Sequence, residues 1–223
     1  MAIKDVRTYS FRDWFKAYTA FYLTWPFFAA VWLYTRFFDT IPVRLSDYLL
    51  LRVHQYTTSH PMDFRIPPNT AIPAYMMRWW WVPRNPWFNV YLHHVWRSDD
   101  DRALHDHPWT NVSIVLAGSY TEHTIDAGGI HRRRTAGPGS IKIRTSGKQA
   151  HRLALPKING IEQPAITIFI TGPVLRRWGF HDPSGWVDAY SWDTFCAAKG
   201  ITTMPMGGGS DGAISARNKG TKA

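Results

Sequence analysis

The chain has 223 residues, 45% of them hydrophobic, and a formal charge of +10 at neutral pH, enough for one sizeable core with or without an appendage. Its single cysteine, Cys196, excludes an internal disulfide and a cysteine-built zinc site and fits a reducing, cytoplasmic setting. The positive field would attract acidic metabolites, phosphates or anionic lipid, but no zinc finger, basic zipper or aromatic–basic strand signature is present, so specific nucleic-acid recognition has no motif behind it.

Residues 11–38 hold 13 aromatics in 28 positions. Phe11, Trp14, Phe15, Tyr18, Phe21, Tyr22 and Trp25 recur at spacings of three and four, an aromatic stripe along one helix face. Pro26 suits the first turn of a second helix better than the middle of a long one, so the spacing predicts a helical hairpin broken there. The 19 residues from Ala17 to Thr35 carry no charge. A hairpin packed on the main domain therefore competes with an in-plane or spanning membrane anchor, since Trp and Tyr favour the lipid interface. A cleaved signal peptide fits poorly, because the apolar run starts late and no small-residue cleavage site follows.

Residues 59–87 are rich in proline and read as extended connecting chain. From Trp87 onward the pattern becomes β. The runs "WFNVYLHHVW", "NVSIVLAGSYTEHT", "GSIKIRT", "HRLAL" and "AITIFITGPV" are separated by Gly- and Asp-rich turns, the pattern of an antiparallel sandwich or barrel. A Gly-rich, basic ending reads as flexible. The expected division is an aromatic-rich helical segment over 1–65, a β-barrel over 66–196 and a tail over 197–223. Nothing in the pattern sets an oligomeric state.

His105 and His107 flank Asp106. In a strand they project to one side, about 7 Å apart along the chain, while Asp106 points the other way. Gly118 permits a tight turn or a close backbone approach, and His151 follows a Gly-containing turn at the start of another strand. Three histidines from neighbouring strands would make a site with open positions for water or substrate. Neutral imidazole suits iron, zinc, copper or nickel, and the spacing names none of them. His93 and His94 lie on opposite faces of one strand, so at most one can face the interior. His181 reads as loop, and Trp109 and Trp178 as core or rim aromatics.

The order His-x-His, glycine 11 residues later, then a lone histidine after a glycine-containing turn resembles the two motifs of cupins. The resemblance implies a mainly β, double-stranded β-helix (jelly-roll) barrel with the metal inside. Asn111 stands in the usual glutamate slot, which implies a three-histidine site of His105, His107 and His151. Within cupins, "HDH", "LAGSYTE" with Gly118 and Glu122, and His151 followed by Arg152 are similar to thiol dioxygenases of the cysteine dioxygenase type. Those enzymes imply Fe(II), O₂ and a small anionic or thiol-bearing substrate. Ile168 and Ile170 stand near the places of their catalytic histidine and tyrosine, which argues against cysteine itself. The segments "LHHVWRSDDDRALHDHPW" and "FITGPVLRRWGFHDPSGW" resemble uncharacterised cupin-like proteins of bacteriophages and bacteria.

Tyr120 and Glu122 share a face after the glycine break and are candidate catalytic residues, able to orient a ligand or a coordinating imidazole. Arg144 and Arg152 are candidate substrate-binding cations, Arg144 as a carboxylate clamp. Each has a plainer reading: barrel packing for Tyr120, a surface ion pair for Glu122, a solvated strand face for Arg144. Two other functions compete with the dioxygenase. One is a non-catalytic metal- or ligand-binding cupin, tethered to a membrane through residues 11–38. The other is a zinc or nickel isomerase, which needs a general base from a chain with only two glutamates, Glu122 and Glu162.

Overall fold

The computed structural model describes residues 8–66, 74–99 and 103–199; the glycine-rich ending beyond 199 and residues 100–102 of the Asp-rich run lie outside them. Two helices come first, α1 (Phe11–Thr35) and α2 (Val43–Ser59). Strands follow: β1 (Phe64–Ile66), β2 (Met76–Trp80), β3 (Asn89–Val95), β4 (Leu104–His105), β5 (Asn111–Ala117), β6 (Tyr120–Asp126) and β7 (Ile130–Ala136). They continue with β8 (Ile141–Arg144), β9 (Arg152–Ala154), the small hairpin β10 (Lys157–Ile158) and β11 (Ile161–Glu162), then β12 (Ala165–Thr171), β13 (Gly179–Asp182) and β14 (Gly185–Asp188). A short helix, α3 (Trp192–Ala198), ends the described chain.

One sheet has the order β1-β2-β3-β12-β5-β8, all antiparallel. The other forms from β7-β6-β9 and β14-β13-β4, joined by the antiparallel bridge between His105 and His151. From β3 through β9 to β12 the chain passes back and forth between the two sheets. That alternation is the double-stranded β-helix expected from the sequence.

The first sheet is covered on both faces, apolar on the outer one and mixed on the inner one. Its inward positions include Val95, Val115 and Ala165, which pack with Tyr120 and Leu155 of the facing layer. Its outward positions, Trp79, Leu92, Ile168 and Leu116, are roofed by Val53 of α2. Farther along, Val112 and Ile141 receive Phe28 of α1, which is fully buried.

The predicted break at Pro26 does not occur. α1 is one 25-residue helix, started by a capping box between Ser10 and Asp13, with Pro26 inside it. Pro26 and Tyr22 both lie on the exposed side, so the Tyr22 carbonyl that loses its partner can be hydrated. Docking of Phe28 and Val31 beyond the proline holds the second half in line. The stripe from Phe11 to Trp25 also departs from a packed hairpin: Ala17, Ala20 and Phe28 are the buried residues of α1, while most of the stripe is exposed. The proline-rich connection contains strands β1 and β2, and His181 lies in β13 rather than in a loop.

Candidate metal centre

The geometry of the site begins with the backbone bridge between the sheet halves. His105 N–H donates to the His151 carbonyl and His151 N–H to that of His105, both at 2.8 Å. The two rings are thereby set directly opposite each other, with centroids 4.6 Å apart. His107 lies just past the end of β4, its N–H held by the Gly147 carbonyl at 3.0 Å. Gly147 is needed there, because a Cβ would overlap the His107 carbonyl oxygen. Gly118 is also required: it has φ +68°, and a Cβ would strike the Pro164 carbonyl.

One ring nitrogen from each of His105, His107 and His151 lies within 4.8 Å of the others. The Nε2 atoms of His107 and His151 are 2.8 Å apart, so both rings aim at one point. Asp106 turns away from them. It accepts from Gly179 N–H at 2.8 Å, from Arg176 at 2.9 Å and from the Trp186 indole at 3.1 Å, tying the His-Asp-His turn to β13 and β14.

Burial lowers the pKa of all three imidazoles, and of His107 and His151 well below the usual value; neighbouring rings and Arg144 push His107 and His151 the same way. Neutral imidazoles are the form that binds a metal. Each of two rings has a carboxylate behind it. His151 Nδ1 lies 3.0 Å from Glu122 and 2.9 Å from an Arg144 guanidinium nitrogen, contacts that hold the ring with Nε2 toward the other histidines. His105 Nδ1 stands 3.6 Å from Asp99, which itself accepts from the Tyr75 hydroxyl and from Leu153 N–H.

Glu122 sits behind His151 rather than on a cavity wall. It reaches from β6 across to β8, where Arg144 and Lys142 both donate to it. Burial pushes its carboxyl up, but the His151 hydrogen bond and the charges of Arg144 and Lys142 outweigh burial and hold it well below the usual carboxylate range. Arg144 also donates to Asn111 at 3.3 Å, so the residue in the glutamate slot serves the arginine. Arg152 follows His151 by one position and so takes the opposite strand face; it does not line the cavity described next.

A cavity of about 130 Å³ opens onto the three rings, comparable with an engineered cavity of roughly 150 Å³ that admits benzene. Tyr120 and Arg144 line it, as do Trp109 and Trp178. Among the described residues its lining contains two arginines, Arg78 and Arg144, and no carboxylate. Arg78, from β2, is buried; its Nε donates to His93 Nε2 at 2.9 Å and its guanidinium lies over the Tyr91 ring. Burial, then the Arg78 charge, lowers the pKa of His93 well below normal, so His93 is a neutral acceptor that orients the guanidinium. On β3, His93 is thus the inward member of the pair.

Arg78, Tyr75 and Asp99 were not legible as site residues. Arg78 is embedded in "MMRWWW", and a cation among large apolar side chains was the available signal. Asp99 lay in a run that reads as a turn, and the pairing of Tyr75 with it depends on folding.

No family model matches the chain, and no curated protein matches it. Among solved structures it is similar to the Clostridium difficile EutQ protein, at 12% identity over 49% of this chain and 76% of that one, with a TM-score of 0.35. An uncharacterized conserved protein with a double-stranded β-helix domain from Klebsiella pneumoniae is 18% identical over 57% of this chain and 92% of its own, TM-score 0.37. KdgF from Halomonas is 15% identical over 54% and 93%, TM-score 0.37. Nothing about the chemistry of this chain follows from likenesses so distant; its fold rests on its own strand order.

Proposed function

We propose that this chain is a three-histidine metal enzyme of the dioxygenase type, with Fe(II) as its metal and a small carboxylate- or thiol-bearing molecule as its substrate. The observation that carries this reading is the meeting of three neutral imidazoles at a buried cavity that, among the described residues, two arginines line and no carboxylate does. Neutral ligands leave an ion's charge uncompensated, so an anionic substrate is drawn to it. His105, His107 and His151 would hold the metal. Bound iron would supply coordination and redox activation of O₂ and substrate.

The chain's own groups supply the rest. Arg78, oriented by His93, presents a fixed cation to a substrate carboxylate. Glu122, backed by Arg144 and Lys142, orients His151. Tyr120, whose hydroxyl lies 3.4 Å from Ser113, offers a hydroxyl at the wall. Trp109, Phe169, Trp178 and Phe180 exclude water. On β12 the inward side chains are Thr167, Phe169 and Thr171, because Ile168 and Ile170 face the helices. The histidine and tyrosine of the thiol dioxygenases have no counterpart there, and the substrate is accordingly kept broader than cysteine. An isomerase gains no support, since Glu122 is consumed by three partners and Glu162 binds Ser98 at 2.6 Å.

Elemental analysis of protein purified without added metal tests the site, with oxygen consumption after Fe(II) loading testing the reaction. One metal per chain, lost in His151→Ala, together with uptake of O₂ in the presence of small thiol carboxylates, is the expected result. Full metal loading of His151→Ala would overturn the ligand set. A loaded protein inert toward every such substrate would leave a binding protein instead of an enzyme.

A further inference from the structure

The face that α1 turns away from the barrel is not used by the metal site. Phe11, Phe15, Tyr18, Tyr22, Trp25 and Trp32 follow one another at spacings of four, three, four, three and seven, so they lie on one stripe. All six are exposed, Phe15 and Tyr22 at 65% and 70%. Ala17, Ala20 and Phe28 occupy a different face, and Phe28 makes the barrel contact. Over about 32 Å of helix, an aromatic stripe therefore stands uncovered, far more continuous apolar surface than scattered exposed residues produce.

We infer that this stripe lies in the plane of an anionic membrane surface. Three features select lipid over a second copy of the chain. Four of the six side chains are Tyr or Trp, whose hydroxyl or indole N–H would be buried in a dry interchain seam but meets acceptors at headgroup depth. Exposed cations accompany the stripe on α1 and α2: Arg12, Lys16, Arg36, Arg44 and Arg52. Three acids share this region, Asp13 in the helix cap, Asp39 paired with Arg134, and exposed Asp47 on α2, so the five cations still outnumber them. The charge is thus matched to acidic lipid. No helix among the described residues is long and apolar enough to cross a membrane, which leaves lying on the surface as the mode of attachment.

Flotation of the full chain with vesicles decides the matter. Phosphatidylcholine vesicles containing phosphatidylglycerol should carry the protein at low salt, with binding on the order of tenfold stronger than to pure phosphatidylcholine and reduced by added salt. The double variant Phe15→Asp/Tyr22→Asp should lose on the order of a hundredfold in partitioning while keeping the wild-type circular dichroism and metal content, because both positions are exposed. Absence of flotation at low salt overturns the proposal. So does a dimer in solution that the double variant dissociates without any lipid binding, which would assign the stripe to a second copy. Equal binding to neutral and anionic vesicles would overturn the role of the five cations. None of these outcomes depends on whether the metal site is catalytic.

Discussion

Substituting Glu122→Gln probes how the metal centre is built, because it changes a charge and little else. The carboxylate is 3% exposed and Arg144 is 4% exposed, whereas Lys142 is 33% exposed. Removing one partner of a buried pair costs about 3–5 kcal/mol, mainly through the charge left behind. Lys142 can swing toward water, so its share is discounted, and the amide retains an acceptor for Arg144. The lower end, about 3 kcal/mol, is expected, which for a chain of this size lowers the melting temperature by about 6–12 °C. His151 loses its anionic anchor, and metal affinity should fall about 10–100-fold, or about 1.4–2.8 kcal/mol. Binding persists, since all three imidazoles remain.

Thermal unfolding of the metal-free protein and chelator competition with zinc measure the two effects separately. The folded carboxyl is held below its unfolded value, so its stabilisation is present at neutral pH and lost as pH falls through the folded range. The gap between wild type and variant should therefore close only in acid. A melting temperature within about 2 °C of wild type and an affinity within about threefold would refute the reasoning.

Arg78→Met should weaken the binding of small carboxylates to the metal-loaded protein by about 10–100-fold while leaving metal content unchanged, read by calorimetry; equal affinity would remove Arg78 from the substrate site. Burial lowers the pKa of His93, His105, His107 and His151. Below about pH 6.5 the unfolded chain therefore binds protons that the folded chain refuses, and metal-free stability should fall by about 1.4 kcal/mol per pH unit for each such histidine. A melting temperature that stays flat from about pH 7 to pH 5 would contradict their buried, neutral state. Phe28→Ala should cost about 3–5 kcal/mol in denaturant titrations, whereas Phe15→Ala should stay within about 0.5 kcal/mol. Equal costs would mean that α1 docks by its other face. Gly147→Ala should displace His107 and lower metal affinity about tenfold, and unaltered metal binding would show that the loop tolerates a side chain.

The alternation of short β-branched runs with Gly- and Asp-rich turns was enough to indicate the barrel, because strand period and turn chemistry are local properties. Local spacing likewise ties His105 to His107, whereas His151 joined them only through the resemblance to cupin motifs, and in the fold it does so by a bridge between distant chain segments. Other features were hidden because they are non-local. Continuity of α1 through Pro26 depends on Phe28 seating against Val112 and Ile141, contacts about 84 and 113 residues away in the chain, and docking of this kind overrides local propensity. Residues 131–134, "HRRR", carry no strand pattern of their own yet belong to the edge strand β7, since its partner β6 is what makes it a strand. Glu122 could be placed near the imidazoles by its position after Gly118, yet its capture by Arg144, Lys142 and His151 requires two sheets to face each other. Arg78 and His93 belong to neighbouring strands of one sheet whose register no single run reveals. The residues alone therefore determined the chemistry on offer, imidazoles at a strand-like spacing and only two glutamates. Only the packing of one sheet against the other decided which charges are buried together, because burial and distance set the energy of a charge and neither is written in the order of the chain.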